Sequence, residues 1–455
     1  MTRTRLLSTP GSAAVRLRAL GGLRRPLLRR SLPHLAALLT YALLAVIVTW
    51  PIAPTLNAGI VGEVGGVDAY QDAWNLWWNA EALRHGRLPF FAPVLFYPQG
   101  VDLFWQTLGF SQGLVALPAT LALGPLAAFN LTVLSSFVIG GYAMFLLARR
   151  VTQNTPAALV AGAVFACSPY HVDKIIEGNL PLASVQWLPC YALALYLLLE
   201  RPAWWRALIS GLLLIWVGLG SWYYGMFSLL FTGCAILIWA AGSGRAGWRR
   251  TILWGMAPLL IWGVALAPKL LDLARAGDAA LMDMRRLQIS RSADLVDFFL
   301  PSPRNPWWGP AVRAARAAIY PDAIIWNVAL GWVGLLLAAI GVAALWRQAW
   351  RWAALLLATM VLAMGPVLRV AGHTTGVPLP FALIQNLPGI RAGQRPNHMV
   401  ALSILALAVL AAYGVAWITG RLSARVAWLA AACLILAIGL VDGYAGSLTL
   451  VRRPV

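Results

Sequence analysis

Long, nearly uncharged apolar stretches recur along the whole chain, and they restrict the fold more than any other feature of the sequence. A helix that crosses the hydrocarbon core of a bilayer needs roughly 17–25 such residues. Helices are the economical structure here, because in lipid the backbone must satisfy its own hydrogen bonds. The ~10-residue polar and apolar alternation of a membrane barrel is absent. The clearest stretches are 38–50, 126–147, 207–217, 251–267, 328–345, 353–368, 400–418 and 426–440.

Charge is scarce and mostly positive. Only 11% of the 455 residues are charged, and 35 basic against 15 acidic residues give a net charge of +20. In a soluble protein this excess would indicate nucleic-acid binding. Here the arginines lie at the ends of apolar stretches, where they act as topology signals and phospholipid anchors. We therefore expect membrane lipids, and not nucleic acid, as partners. The four cysteines lie apart in apolar stretches and are predicted to be small core residues.

The N-terminal segment, residues 1–35, is basic and precedes the first apolar stretch. It resembles the start of a signal peptide, but it is too long, and no small-residue cleavage site follows the apolar stretch. The sequence therefore predicts an uncleaved first span with a cytoplasmic N-terminus, because basic residues favour the inner side. We expect an integral protein of a bacterial cytoplasmic membrane.

These stretches predict an all-α, polytopic transmembrane bundle of about 11–12 spans, with interfacial juxtamembrane helices in the first extracytoplasmic loop. The transmembrane domain covers 36–446, with outer loops at 55–107, 272–322 and 371–398, and a short tail at 447–455. Residues 108–123 are short for a span, and the sequence leaves open whether they cross. If they do not, the spans are 36–54, 126–148, 156–170, 182–199, 205–220, 223–241, 251–270, 323–344, 352–369, 399–419 and 426–446.

Acidic residues concentrate in the first outer loop. Asp68 and Asp72 lie four residues apart, so on a helix they share a face. Three tryptophans at helical spacing, 74, 77 and 78, follow and are typical of a helix at headgroup depth. One interpretation is a general base held at the membrane surface, where a lipid-linked substrate can reach it. The other is an interfacial helix whose acidic face is merely solvated.

Three further groups, together with His398 of the last outer loop, are candidates for acceptor or sugar contacts. His171 and Asp173 could bind an acceptor or a metal, although their spacing is too unspecific to predict a metal site and a polar loop at a helix end is the simpler interpretation. Tyr223 and Tyr224 lie at an outer span end, where an aromatic belt also explains them. Asp294 and Asp297 are predicted to lie on a second interfacial helix that ends at Pro301.

Two arginines lie outside against the positive-inside trend. Arg391 and Arg395, followed by His398, belong to the last outer loop. The planar guanidinium donates two hydrogen bonds to a phosphate, which favours a phosphate-binding role. Anchoring to lipid headgroups explains the same residues equally well.

With these residues in view, the chain resembles the GT-C superfamily of integral membrane glycosyltransferases, and in particular bacterial members of that type. The resemblance covers about 36–419. It is carried by the order of several short motifs, each weak alone: Asp68 with Trp74–Trp77, Phe96–Gly100, Gly124–Leu131, Phe165–Tyr170, Gln186–Pro189, Tyr223–Gly225, Ser292–Pro303 and Arg395–Pro396.

The resemblance implies an inverting transfer of a sugar from a polyprenyl-phosphate donor to a glycolipid, polysaccharide or protein acceptor on the extracytoplasmic face. Asp68 matches the general base of such enzymes, and Arg395 the group that holds the donor phosphate. The chain departs from the pattern at His398, where a second basic residue is usual, and at Gly66-Val67-Asp68, which is one residue longer than usual. Asp72 therefore stays a second candidate base. Some relatives use Mg²⁺ or Mn²⁺ and others no metal, so the cofactor stays undecided.

Two other function classes fit a polytopic chain of this composition. A transporter or flippase for lipid-linked saccharides should carry ionisable residues inside its spans, facing a cavity at mid-membrane. The spans here are nearly free of them, which favours chemistry at the outer surface. A non-catalytic partner in cell-envelope polysaccharide assembly stays open, because the acidic residues could all be structural.

Overall fold

Apolar helices make up most of the protein. The computed structural model describes residues 31–62, 68–275, 285–320, 327–387, 390 and 395–452. Seven helices in these ranges are long and apolar enough to cross a membrane. We number the helices in chain order: α1 Ser31–Val48, α2 Asp68–Arg84, α3 Phe110–Leu123, α4 Pro125–Thr152, α5 Thr155–Ala166, α6 Pro169–Ile176, α7 Leu180–Ala183, α8 Trp187–Glu200, α9 Trp204–Gly220, α10 Trp222–Ala241, α11 Gly244–Arg275, α12 Arg285–Ser290, α13 Gly309–Ile319, α14 332–344, α15 346–363, α16 Val400–Thr419 and α17 Ala424–Ala437.

The two halves of the helical stretch Trp332–Ala363 run in opposite directions. The backbone leaves helical geometry at Leu345, with φ −129° and ψ 37°. In α14, Gly334 packs near Leu407 and Gly341 near Leu410, so α14 runs parallel to α16. In α15, Thr359 accepts a hydrogen bond from Ser403, earlier in α16, while Arg351 lies near Tyr413. The stretch is therefore a helical hairpin, in agreement with the two spans predicted there.

The bundle has two distinct ends. One, which we call the basic face, carries the arginines of helix ends. Contacts between helix ends bring them together there: Arg149 contacts His34, Asn154 contacts Thr419, and Arg351 contacts Gly242. The other, which we call the loop face, gathers the long connections. The predicted arginine clusters thus share one face. They are Arg149 and Arg150, Arg201 and Arg206, Arg249 and Arg250, Arg347 and Arg351, and Arg421 and Arg425.

The helix α3 does not cross the bundle. Ser111, in its first turn, donates to the carbonyl of Trp216, near the loop-face end of α9. Its C-terminal end, at Gly124, lines a cavity with Asn57 and Tyr70, which belong to the first loop. Both ends therefore lie on the loop face, which answers the open question about residues 108–123. Where eleven spans were predicted, the described ranges hold the seven long apolar helices, one of which is the α14–α15 hairpin, and the shorter apolar helices α5, α8 and α9.

Residues 168–186 correct the sequence prediction. A polar loop at a helix end was predicted around His171 and Asp173, but the chain there forms α6 and α7, which are buried almost throughout. Burial arises because α5 has only 12 residues and ends inside the bundle, so the chain continues beneath the loop face. Gly178 makes this possible: its φ is +74°, and a Cβ there would lie 2.7 Å from the Cβ of Ala69 in α2. This buried connection, which we call the α6–α7 segment, forms the floor of the loop face.

Short strands tie the loops together. The first loop strand β1, Gly59–Val61, pairs antiparallel with the C-terminal strand β6, Leu450–Arg452, so the tail returns to the first loop. Strands β2 Phe91–Ala92 and β3 Val101–Asp102 pair within the first loop. Strands β4 Val367–Val370 and β5 His373–Pro378 form a hairpin in the last loop. Helix α11 also extends to Arg275, so it includes the first four residues of the predicted loop 272–322.

The α16 helix is the centre of the bundle, and 94% of the residues in its 18-residue apolar stretch are buried. It packs against α14 through glycines: a Cβ on Gly414 would lie 2.0 Å from the carbonyl oxygen of Leu337, and one on Gly341 would lie 2.3 Å from that of Leu410. Small residues allow helix backbones to approach closely, which is the usual source of packing energy between membrane helices.

Candidate functional site at the loop face

The first-loop acids lie on the predicted helix, α2, but in different environments. Asp68 begins α2 and is exposed, whereas Asp72 is only 4% exposed. The Asp72 carboxylate accepts hydrogen bonds from the backbone N–H of Leu180 at 2.8 Å and from Asn75 Nδ2 at 3.2 Å. It therefore ties α2 to the start of α7. Burial, the largest cause, together with the nearby charge of Asp68 raises the pKa of Asp72 well above its usual value.

Asp68, unlike Asp72, faces solvent. Its Oδ2 accepts a hydrogen bond from Asn179 Nδ2 at 3.0 Å. The orientation of Asn179 is fixed in turn, because its Oδ1 accepts from the backbone N–H of Leu182 as the N-cap of α7. An exposed carboxylate held by a single amide keeps lone pairs available for a proton. Of the two candidate bases, the geometry therefore favours Asp68.

The tryptophans of α2 lie as the helical spacing predicts. Trp74 stacks on Trp78 with a 5.8 Å centroid separation, and Trp77 tilts against both. Trp77 is exposed, whereas Trp78 is buried and donates to the carbonyl of Pro89 at 2.8 Å. Trp78 thus holds the loop that follows α2 in place, and Trp77 presents an aromatic ring to the surroundings.

An ionic network runs through the α6–α7 segment. Lys174 is 1% exposed and donates to both carboxylate oxygens of Glu177, at 2.7 and 2.6 Å. It also lies 3.6 Å from Asp173, whose other oxygen accepts from Arg304 Nε at 3.2 Å. Burial raises the pKa of Glu177 despite the opposing charge of Lys174. Asp173, a predicted acceptor contact, therefore belongs to a charged chain that leads to the long loop.

His171 has a structural environment. It is fully buried, with Nδ1 2.6 Å from the carbonyl of Ala166 and Nε2 2.9 Å from the hydroxyl of Ser136. Burial lowers its pKa to about 4, so the ring is neutral. Both ring nitrogens are occupied by protein groups, which leaves no position for an acceptor.

A second cluster joins α6, α10 and the start of α16. Tyr170 lies 3.0 Å from Nδ1 of His398 and 3.2 Å from the hydroxyl of Tyr224, which also donates to the carbonyl of Leu182. The ring of Tyr223 meets His398 edge-on at 5.3 Å. Tyr224 and His398 are both buried, so they hold the cluster together, while the partly exposed Tyr223 faces the loops.

Two arginines lie beside this cluster. The carbonyl of Arg291 accepts from the backbone N–H of Asn397 at 3.3 Å, which places Arg291 next to Arg395. Burial and the charge of Arg395 lower the pKa of Arg291, and the two arginines and Lys174 all act electrostatically on His398. The region is positive, as a phosphate site requires. Arg391 lies outside the described residues.

Arg291 was missed by the sequence analysis. It immediately precedes the Ser292-Ala293-Asp294 stretch, in a loop predicted to be extracytoplasmic. The same reasoning that singled out Arg395, a basic residue on the side where basic residues are disfavoured, would have found it.

Asp294 and Asp297 do not lie on an interfacial helix as predicted. Only a three-residue 3-10 turn, Val296–Phe298, forms there. The Asp294 carboxylate instead binds backbone N–H groups, most of them in the last loop. It accepts hydrogen bonds from the backbone N–H groups of Val296, Ala371 and Gly372, at 2.9, 3.0 and 2.9 Å. Asp294 thus anchors the β4–β5 turn, and these bonds leave it little capacity for a sugar.

Side chains that could bind a metal ion lie apart from one another in the described part of the chain. In the described ranges no group of three or more His, Cys, Asp or Glu side chains is placed to hold a metal ion. The acids near Asp68 and in the α6–α7 segment are mostly engaged with amides or basic side chains. The need for Mg²⁺ or Mn²⁺ stays an open prediction.

Comparison with known proteins gives structural matches alone. No family model matches the chain, and no curated protein matches it in sequence. One similar solved structure is ArnT from Cupriavidus metallidurans, bound to undecaprenyl phosphate, at 15% identity and a TM-score of 0.44. Another is the oligosaccharyltransferase of Archaeoglobus fulgidus, tethered to an acceptor peptide with the NVT sequon, at 13% identity and a TM-score of 0.48.

The matches cover 87% and 91% of this chain, but the chain spans only 64% and 55% of the length of those two proteins. Identities and scores this low leave the function to be argued from this chain's own residues.

Proposed function

We propose that this chain is a membrane glycosyltransferase of the GT-C type. It transfers a sugar from a polyprenyl-phosphate donor to an acceptor hydroxyl at the loop face, which is extracytoplasmic, with inversion at the anomeric carbon. The observation that carries the proposal is that an exposed carboxylate, Asp68, and a positive region around Arg291 and Arg395 lie on the same face of the bundle. These residues come from distant parts of the chain, and the α6–α7 segment connects them.

The proposed step needs one base and one anion site. Asp68 accepts the proton of the acceptor hydroxyl while that oxygen bonds to the anomeric carbon. The bond from this carbon to the phosphate oxygen breaks at the same time, and the polyprenyl phosphate leaves with both electrons of that bond. Arg291 and Arg395 stabilise the negative charge that grows on the phosphate. Asn179, fixed as the N-cap of α7, holds the Asp68 carboxylate in place.

The distribution of ionisable groups supports surface chemistry over transport. In the described spans these groups lie near helix ends: Lys269 and Asp442 near the loop face, and the arginines at the basic face. A flippase for lipid-linked saccharides would need such groups around a cavity at mid-membrane.

The test is an in vitro transfer assay in detergent with a panel of polyprenyl-phosphate sugars. We expect transfer by the wild type and loss of at least about 100-fold in Asp68→Asn, because general base catalysis contributes about 10²–10⁴ in rate. The matched control is Asp72→Asn, which keeps its shape and lies outside the reacting region. Full activity in Asp68→Asn would refute the assignment of the base. No transfer with any donor would move the interpretation to the flippase.

A further inference from the structure

A cavity of about 540 Å³ opens between the α6–α7 segment and the long loop that precedes α14. Sugar and cofactor sites usually have volumes of about 300–1,000 Å³. Its polar lining is unusual in a chain with so few charges. The charged and polar residues that line it include Asp173, Glu177, Arg304, Arg313, Arg316 and Asn327.

One wall of this cavity holds hydrogen-bond donors that the protein does not use. Arg316 is 5% exposed, and within the described residues its Nε and Nη2 have no hydrogen-bond acceptor. Its ion pair with Asp297 is long, at 3.6 Å. Asn327 is equally buried, and its Nδ2 is also without an acceptor in the described part of the chain. Buried donors of this kind cost free energy unless a ligand or water satisfies them.

The opposite wall is acidic and already paired. Asp173 is bound to Arg304, and Glu177 to Lys174. Paired carboxylates keep spare lone pairs, which accept hydrogen bonds from hydroxyl groups. Arg313 adds an exposed positive charge at the donor wall, where it also donates to the carbonyl of Pro303 at 2.6 Å.

We propose that this cavity binds an anionic saccharide, with its acid group on Arg313, Arg316 and Asn327 and its hydroxyls on Asp173 and Glu177. A neutral sugar would leave the guanidinium donors unsatisfied, and an anion without hydroxyls would leave the acidic wall unused. The inference rests on the proposed function, because it assigns this ligand as the acceptor. The placement fits that role: Glu177 is two residues from Asn179, which holds Asp68.

The test measures binding apart from transfer. Purified full-length protein in detergent is dialysed to equilibrium against radiolabelled glucuronate, glucose 6-phosphate and glucose. We expect at least one of the two acidic sugars to bind about tenfold more tightly than glucose, because a hydrogen bond to a charged group contributes at least that factor. Selective binding of only one of them identifies the acid group. Equal binding of all three sugars overturns the proposal.

Two variants locate the site. Arg313→Gln should weaken binding of the acidic sugar about tenfold, since one charged donor is lost. The double variant Asp297→Asn with Arg316→Gln should weaken it similarly, and it removes both charges of a buried pair, so neither is left unpaired. Arg347→Gln, an exposed arginine on the basic face, is the matched control and should bind normally. Unchanged affinity in Arg313→Gln and in a folded double variant overturns the proposal.

The inference and the proposed function fail in different ways. Asp68→Asn should lose transfer and keep selective binding of the acidic sugar. Loss of transfer in this variant without any selective binding by the wild type refutes the cavity assignment alone. Normal transfer by this variant together with selective binding refutes the proposed base alone.

Discussion

Replacing Asp68 or Asp72 of α2 by alanine should separate stability from activity. Asp72→Ala removes the acceptor for the buried backbone N–H of Leu180 and for Asn75. A buried donor left without a partner costs about 1–3 kcal/mol, and the second lost bond adds about 1 kcal/mol. We therefore expect Asp72→Ala to lower the free energy of unfolding by about 2–4 kcal/mol.

Asp68→Ala should behave in the opposite way. The side chain is exposed, and its one hydrogen bond, from Asn179, is partly solvated. Surface changes of this kind usually cost within about 0.5 kcal/mol. Transfer should nevertheless be lost, because the base is missing.

The assay pairs unfolding with transfer on the same preparations. Unfolding is followed by tryptophan fluorescence during titration with a denaturing detergent, and transfer is measured with the donor that the wild type uses. Asp72→Asn is the control: it keeps one acceptor oxygen and should cost about 1 kcal/mol. The reasoning fails if Asp68→Ala destabilises the protein as much as Asp72→Ala, or if Asp72→Ala is as stable as the wild type.

Three further predictions concern the donor, the bundle and pH. Arg291→Gln and Arg395→Gln should each raise the KM for the polyprenyl-phosphate donor about tenfold. The binding of glucuronate, measured without donor, should change less. An unchanged KM would contradict a phosphate site. Gly414→Ala should destabilise the bundle by about 1–3 kcal/mol, since its Cβ would meet a carbonyl oxygen, whereas Gly233→Ala, with open space around it, should not; equal stability of the two variants would refute the close α14–α16 packing. Burial raises the pKa of Asp297 from 3.8 to about 6, so the folded state binds a proton more tightly than the unfolded state, and stability from this group is lost as pH rises from 3.8 through about 6. Asp297→Asn should make the free energy of unfolding depend less steeply on pH over that interval. An unchanged pH dependence would count against the burial of this carboxyl.

The span pattern was readable from the sequence because lipid imposes a strict rule. Every backbone group in the hydrocarbon region must bond within its own helix, so apolar length alone indicates where the chain crosses. The arginine clusters at helix ends also predicted one common face, which the bundle shows. Even the break at Leu345 was implied by the charges of Arg347 and Arg351, which interrupt two apolar stretches.

The site could be predicted only as a list of residue types. The spacing of Asp68 and Asp72 gives them one helix face, but it does not say that Asn179 and Leu180 will arrive there from another segment. That contact depends on α5 being short and on Gly178 allowing two backbones to approach. Sequence separation hides such contacts, so the exposed acid and the buried acid could not be distinguished beforehand.

The sequence by itself therefore determined that this protein is a helical membrane bundle, where its long apolar helices lie, and that Asp68, Asp72 and Arg395 belong to the connections between them. Hydrophobic length and charge bias are local properties, and a single chain carries them in full. The tertiary structure decided that α3 stays on the loop face, that residues 168–186 are buried beneath it, and that Asp68 is the exposed acid of its pair. It also brought Arg291 beside Arg395. These outcomes depend on which surfaces pack together, because burial and hydrogen-bond partners are set by neighbours distant in sequence.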